Sequence, residues 1–260
     1  MKAYELIAKL NEGATTPEIT CDTVKAGDVE KEIKKVAVSM FATVDIVRAV
    51  KEWGADMLIV HEPTYYNHME VIENETDVIR AKRALIEESG LVIYRYHDNM
   101  HYRAVDLITE GELHYLGLTG KLEKTQFFGS SMLTSDTEIS ALELARKMKN
   151  DLGIAHPRIA GNRDAKVKHI AACFGTPRGV LDLLQSNDVD IVLTGEACEW
   201  MIGEYARDAA ALGLNKALIV MGHIGSERDG MRLLVEKMKK KYDTLETRYF
   251  ECGEVYTYVD

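Results

Sequence analysis

Short apolar runs alternate with amphipathic stretches along most of the chain. The runs have the length of buried strands, and the stretches between them carry apolar residues at helical spacing. Predicted strands cover residues 35–40, 57–60, 91–96, 168–174, 190–193 and 217–221, and predicted helices cover 44–53, 77–89, 138–150, 180–185, 197–212 and 231–241. Such alternation is typical of strands joined by crossover helices, so the pattern predicts an α/β fold with mostly parallel sheets and flanking helices.

Two local signals refine this organisation. Ser135 and Glu138 have the Ser-x-x-Glu spacing of a capping box, which predicts that a helix begins there. Residues 117–135 are rich in Gly, Ser and Thr and have no helical period, so we place a domain boundary near Thr125. A chain of 260 residues fits two domains of ordinary size.

Composition narrows the class of protein. With 46% hydrophobic and 28% charged residues the chain is globular, and its net charge of -10 argues against nonspecific binding to a nucleic-acid backbone. The start of the sequence has no signal-peptide core, and no apolar run is long enough to span a membrane, so we expect a cytoplasmic protein. The four cysteines form no Cys-x-x-Cys pair and are expected to be reduced, with Cys173 a buried structural thiol.

Three of the eight histidines closely follow predicted strands, namely His61, His97 and His223. In open parallel sheets, ligands bind at the carboxyl ends of the strands, so these side chains are candidates for one site. Glu62 and Glu227 accompany two of them, and imidazole with carboxylate suits Zn, Fe, Mn or Ni. Spacing alone leaves both interpretations open: a metal site, or ordinary turn histidines held by hydrogen bonds.

Weaker candidates surround these three. His97 opens a polar cluster that includes Asp98 and ends at His101. Glu196 follows another strand, where it lines a cleft or simply occupies the first turn of a helix. The segment 175–179 has the position of an anion-binding turn but matches no phosphate-loop motif, so a plain tight turn is favoured. The remaining histidines with no comparable partners are interpreted as surface or packing residues: His68, His114, His156 and His169.

Two segments of the chain resemble corresponding segments of a known family. One runs from Thr194-Gly195-Glu196 through a helix and a strand to Gly222-His223 and Glu227, and the other from Gly54-Ala55-Asp56 to His61-Glu62-Pro63. The family is that of the dinuclear-metal proteins related to the NGG-one-interacting factor three, often labelled "GTP cyclohydrolase I type two" in bacterial genomes. The resemblance extends over nearly the whole chain.

The resemblance implies two divalent metal ions, Zn, Fe, Mn or Ni. Carried over position by position, the metal ligands are His61, Glu62, His101, His223 and Glu227. Glu62 stands where the family has a His, and His101 where it has an Asp, so the set keeps three imidazoles and two carboxylates. We therefore expect these two residues to be compensating neighbours in one metal cluster. His97 and Asp98 are the catalytic candidates, as an orienting pair or a proton shuttle.

The resemblance also implies an architecture and an assembly. It predicts a metal-binding α/β domain over residues 1–124 with 217–260 and a second α/β domain over 125–216, with the final strand and helix returning so that His223 meets His61. It further implies a homohexamer, a trimer of dimers, whose metal sites face an internal cavity.

Two functions of different classes follow from these expectations. The first is a metal-dependent hydrolase that acts on a nucleotide or another small polar metabolite with two solvent-bridged ions. The alternative is a non-catalytic metal-binding or regulatory hexameric assembly, which the absence of a recognisable nucleophile favours. A nucleic-acid regulator conflicts with the negative charge.

Overall fold

The computed structural model of the chain describes residues 1–259. Its helices are α1 Ala3–Asn11, α2 Val44–Glu52, α3 Asp77–Ser89, α4 Asp98–His101, α5 Leu107–Leu116, α6 Ala141–Asp151, α7 Val180–Gln185, α8 Glu204–Ala211 and α9 His223–Lys241, with a π-helical turn at Glu199–Gly203. Its strands are β1 Val24–Ala26, β2 Lys35–Ser39, β3 Met57–Val60, β4 Val92–Arg95, β5 Gly120–Lys124, β6 Ser130–Ser140, β7 Arg158–Gly161, β8 Lys166–Cys173, β9 Ile191–Thr194, β10 Ala217–Val220 and β11 Glu246–Tyr249. The predicted α/β class is confirmed.

Contacts divide the chain into two compact units. The first contains Met1–Ala104 and the chain from Met231 onward, and the second contains Val105–Gly230. Each unit is defined by the contacts that its residues make with one another. The domains expected from the resemblance, 1–124 with 217–260 and 125–216, stay a prediction.

The first unit is built on a sheet with the strand order β1-β4-β3-β2-β11. Strands β4, β3, β2 and β11 run parallel, and β1 is an antiparallel edge. Helices α2 and α3 bury apolar side chains such as Val47 and Ile86 against Leu58 and Ile93 of the sheet. This packing, driven by apolar burial, fixes where β3 and β4 end and therefore where the residues after them lie.

The second unit is built on a sheet with the strand order β5-β6-β8-β9-β10-β7. Its centre, β8, β9 and β10, is parallel, as the alternating pattern predicts. The outer strands β5, β6 and β7 pair antiparallel, which the sequence pattern did not predict. Helix α7 and residue Ala206 of α8 pack on this sheet with Val192 and Leu218.

The predicted helix start at Ser135 is wrong. Ser135 lies in β6 and pairs with Gly120 across a hairpin, and the sequence pattern there gives no strand signal strong enough to reveal it. The capping box occurs five residues later, with the same spacing: the backbone N–H of Glu143 donates to Ser140 Oγ at 3.2 Å, and that of Ser140 to the Glu143 carboxylate at 2.9 Å. Helix α6 begins there because both free donors of its first turn are satisfied.

A buried carboxyl pair lies where α5 meets the first turns of α9. Glu112 is fully buried, and its Oε1 accepts the backbone N–H of Asp229 at 2.9 Å, while Oε2 has no hydrogen-bond partner among the described residues. Burial raises the pKa of Glu112 well above its ordinary value, and the neighbouring Asp229 carboxylate raises it further.

We expect Glu112→Gln to stabilise the protein increasingly as pH rises. A raised folded-state pKa means that the contribution of Glu112 to stability is present below its unfolded pKa and is lost as pH rises towards its folded pKa. The glutamine side chain keeps an acceptor for the Asp229 N–H and does not titrate. Urea unfolding should show a gain near zero at pH 5 that grows to about 1–3 kcal/mol at pH 8. The exposed Glu123→Gln should show no such trend, and a gain for Glu112→Gln that is constant with pH would contradict the expectation.

Candidate metal centre

His61 and Glu62 follow the end of β3 and are both buried. Their backbone N–H groups donate to the same acceptor, the carbonyl oxygen of Met40, at 3.1 and 2.9 Å. His61 Nδ1 lies 3.1 Å from the Tyr96 carbonyl oxygen, to which it donates, and this places the lone pair of the ring on Nε2. Burial lowers the pKa of His61 well below its ordinary value, and the neighbouring His97 adds to the effect, so the ring is held neutral, the form that binds metals.

A tight turn after β4 presents the second group of side chains, on the single-turn helix α4. Asp22 fixes this turn: its Oδ1 accepts the backbone N–H groups of His97 and Asp98, each at 2.8 Å. Its Oδ2 accepts the backbone N–H and the side-chain amide of Asn99, also at 2.8 Å. One buried carboxylate thus satisfies the donors that a helix start leaves free, and it places His97 and His101.

His97 and Asp98 form a hydrogen-bonded pair. His97 Nδ1 lies 2.9 Å from Asp98 Oδ1, and Asp98 Oδ2 accepts the Thr20 hydroxyl at 2.8 Å and the Cys21 backbone N–H at 3.1 Å. Burial alone would raise the pKa of Asp98, but the hydrogen bonds from His97 and Thr20 outweigh it and hold the pKa well below its usual range. The carboxylate is therefore ionised, and it orients the His97 ring.

Three imidazoles of the first unit come together. The ring centroids of His61 and His97 are 4.5 Å apart, those of His97 and His101 5.0 Å, and those of His61 and His101 5.3 Å. One ring nitrogen of each lies within 4.8 Å of those of the other two, and all three side chains are buried. A tetrahedral ion with metal–nitrogen distances of about 2.0–2.1 Å needs its nitrogens roughly 3.4 Å apart, and one nitrogen of each of these rings already lies within 4.8 Å of the other two. The donor set therefore fits a borderline divalent ion.

Arg95 is a buried cation beside this cluster, at the end of β4. Its Nε donates to the His61 carbonyl oxygen at 3.0 Å, its Nη1 donates to the His68 carbonyl oxygen, and its Nη2 lies 3.6 Å from Glu62 Oε2. The His68 ring lies 5.2 Å from that of His97, so this histidine packs against the cluster. The guanidinium offsets the charge of Glu62 and ties the loop after β3 to β4.

The second unit holds a further group of polar side chains around His223, at the start of α9. His223 Nδ1 lies 2.7 Å from Glu196 Oε1 and 3.2 Å from the Thr176 hydroxyl, while His223 Nε2 lies 3.3 Å from Glu227 Oε2. When Nδ1–H donates to Glu196, the lone pair on Nε2 faces the Glu227 carboxylate. Two such acceptors at 3.3 Å need a proton or a cation between them, so the geometry fits ligation by His223 and Glu227.

Glycines make room for this group. A Cβ atom at Gly175 would lie 2.4 Å from Glu227 Oε1, and one at Gly195 would lie 2.5 Å from Ser226 Oγ. The Gly175 backbone N–H donates to Ser226 Oγ at 3.0 Å. The segment 175–179 therefore packs against the start of α9, which agrees with the interpretation as a turn.

The family model for Duf34/NIF3 (NGG1p interacting factor 3) matches residues 7–253. The chain belongs to this family. A "GTP cyclohydrolase 1 type 2 homolog" of Clostridium perfringens is 24% identical over 228 residues, which are 84% of this chain and 82% of that protein.

Solved structures show the same Duf34/NIF3 fold. That of protein ybgI, of unknown function, has a TM-score of 0.79 at 22% identity and covers 98% of this chain and 100% of that one. That of a Bacillus cereus protein related to NIF3 has a TM-score of 0.75 at 14% identity and covers 100% and 99%. The family model confirms the predicted family, and these structures confirm the predicted fold.

Sequence reasoning found some of the residues in these groups and missed others. The structure places His61, His97 and His101 together in the first unit, and Glu196, His223 and Glu227 together in the second. Asp22 and Arg95 were missed, whereas His68, interpreted as a surface or packing residue, packs against His97. Arg95 carried a signal, a charged residue at the end of an apolar strand; Asp22 and His68 lie in irregular segments that carry none.

No helix among residues 1–259 is long and apolar enough to cross a membrane.

Proposed function

We propose that this Duf34/NIF3 protein is a metal-dependent hydrolase that uses two divalent ions, chosen from Zn, Fe, Mn and Ni. The proposed ligands are His61, Glu62, His101, His223 and Glu227. The observation that carries the proposal is the cluster of three buried imidazoles, with His61 held neutral and its lone pair fixed on Nε2. Histidines that serve only packing gain nothing from such a cluster, because each adds a desolvated polar group.

When bound, divalent ions lower the pKa of a coordinated water and stabilise negative charge on the group that the water attacks. The residues of the chain supply orientation. Asp98 holds the His97 ring, and because its oxygens already accept three hydrogen bonds, it favours the orienting role over the proton shuttle. Glu196 does the same for His223. The catalytic assignment of His97 and Asp98 stays a prediction.

The substrate class that we propose is a nucleotide or another small polar metabolite. It is supported by the cyclohydrolase part of the name that the Clostridium perfringens relative carries. The homohexamer and the compensating pair of Glu62 and His101 also stay predictions.

We expect His61→Ala and His223→Ala each to lower metal affinity by more than about tenfold, with turnover falling in parallel, because each removes a strand-end ligand and little core packing. Elemental analysis of the purified variants measures the first effect as a loss of metal content, and a panel of nucleotide, cyclic amide and phosphoester substrates measures turnover. His114→Ala, an exposed histidine on α5, is the control and should keep the wild-type metal content.

Full metal content in both variants would overturn the proposed ligands. Full metal content in the wild type, with no turnover in the panel, would overturn the hydrolase. Rapid release and reloading of the ions would then favour the metal store or regulatory assembly, because a catalytic site retains its ions.

A further inference from the structure

A third imidazole has a geometry that matches that of a metal ligand. His97 has the same hydrogen-bonding arrangement as His61: Nδ1 of His97 donates to Asp98 Oδ1 at 2.9 Å, and Nδ1 of His61 donates to the Tyr96 carbonyl oxygen at 3.1 Å. In either ring the metal-binding neutral form therefore carries its lone pair on Nε2. The two rings are stacked, with an angle of 27° between their planes. A carboxylate behind the histidine is the usual partner of a metal-bound imidazole, because it fixes the tautomer and increases the basicity of the ligating nitrogen.

We propose that His97 is itself a metal ligand, through Nε2, and that it completes a three-histidine site for a divalent cation with His61 and His101. This rests on the proposed metal centre and departs from the ligand set that the family resemblance gives, in which His97 only orients or shuttles a proton. Asp98 then acts as a positioning residue.

A competing arrangement lies next to it. Cys21, Asp22, His97 and Asp98 also bring four potential ligand atoms within 4.8 Å of one another. Their carboxylates are already used: Asp22 accepts four N–H donors and Asp98 accepts three hydrogen bonds. Burial raises the pKa of the Cys21 thiol to about 12, and the Asp98 carboxylate adds to the effect. The carboxylates of this second group therefore support the turn, and the His97 ring stacks on His61 in the imidazole cluster.

The histidine at position 101 changes the set of donors that the first unit offers to an ion, and it favours ligation by His97. An imidazole at 101 replaces the carboxylate that the resemblance places there, so the first unit offers three imidazole nitrogen donors and one carboxylate, Glu62, which Arg95 partly offsets. Three imidazoles with one open position are a donor set that Zn uses in catalytic sites, and they also suit Fe, Ni and Cu.

The test uses metal-free full-length protein and Co²⁺ alone as the probe. We expect His97→Ala to weaken Co²⁺ binding at one ion by about 100-fold or more, and Asp98→Asn by about 10–100-fold, as measured by calorimetry and by the visible absorption of bound Co²⁺. His68→Ala is the matched control, since His68 packs against His97 from outside the cluster, and its affinity should stay within about threefold of wild type.

The outcomes separate the two proposals. If His61→Ala and His101→Ala lose Co²⁺ while His97→Ala keeps wild-type affinity and spectrum, His97 is not a ligand and the proposed metal centre stands. If all three keep Co²⁺, the metal centre itself fails. Proton NMR of wild type loaded with Co²⁺ at both ions covers the case in which His97→Ala does not fold: four hyperfine-shifted exchangeable imidazole N–H signals, from His61, His97, His101 and His223, support the three-histidine site, and three or fewer overturn it.

Discussion

Replacing Asp22 with alanine is expected to destabilise the protein by about 3–5 kcal/mol and to abolish tight metal binding. The buried carboxylate accepts the N–H groups of His97, Asp98 and Asn99 and the side-chain amide of Asn99. Alanine leaves four donors without an acceptor in a place where Asp22 itself is only 8% exposed, and each such donor costs about 1–3 kcal/mol before the turn relaxes. The same turn carries His97 and His101, so the loss of its shape reaches the imidazole cluster.

Urea unfolding of the metal-free variant measures the stability, and titration with Co²⁺ measures the site. Asp28→Ala is the matched control: Asp28 also accepts a backbone N–H, that of Glu30 at 2.9 Å, but it does so at the surface, where water replaces it. We expect that control to cost less than about 1 kcal/mol. An Asp22→Ala protein with wild-type stability and affinity would show that the turn holds itself without the carboxylate.

Gly111→Ala is expected to cost about 3 kcal/mol or more, the second large effect. Helices α5 and α9 touch backbone to backbone within the second unit, where a Cβ atom on residue 111 would lie 2.4 Å from the Gly230 Cα and 2.6 Å from the Asp229 carbonyl oxygen. No rotation of a side chain relieves such a contact, because the opposing atoms are backbone. The helices must therefore separate, and apolar burial and the Asp229–Glu112 hydrogen bond are lost with the contact.

Thermal unfolding measures this effect, as a fall in Tm of roughly 6–12 °C at about 2–4 °C per kcal/mol. Gly203→Ala provides the control, since a Cβ there meets no atom within 4 Å and the residue has helical backbone angles. That substitution should leave stability unchanged or raise it by about 0.4–1 kcal/mol. Equal Tm values for the two variants would show that α5 and α9 are not held by this contact.

The apolar pattern by itself determined the α/β class and the parallel centres of both sheets, because a strand buried on both faces has to be apolar throughout. Strands β3, β4, β9 and β10 all follow from it. It also placed His61, His97 and His223 after strand ends, which marks them as candidates whatever the tertiary structure. The types of these residues then indicated a metal site, because imidazole and carboxylate are the donors that divalent ions use.

Tertiary structure alone decided the features that depend on partners distant in sequence. The antiparallel outer strands β5, β6 and β7 are stabilised by hydrogen bonds to neighbouring strands, and their own sequence carries no clear period, so Ser135 was taken for a helix start. Asp22 shows the same limit at the site, because its four donors lie 75 to 77 residues away and no local pattern links them. The tautomers of His61 and His97 are set by a carbonyl and a carboxylate that only the folded chain brings within hydrogen-bonding distance. Sequence gives the identity of the donors, whereas the direction in which each donor points is a property of packing, which long-range contacts determine.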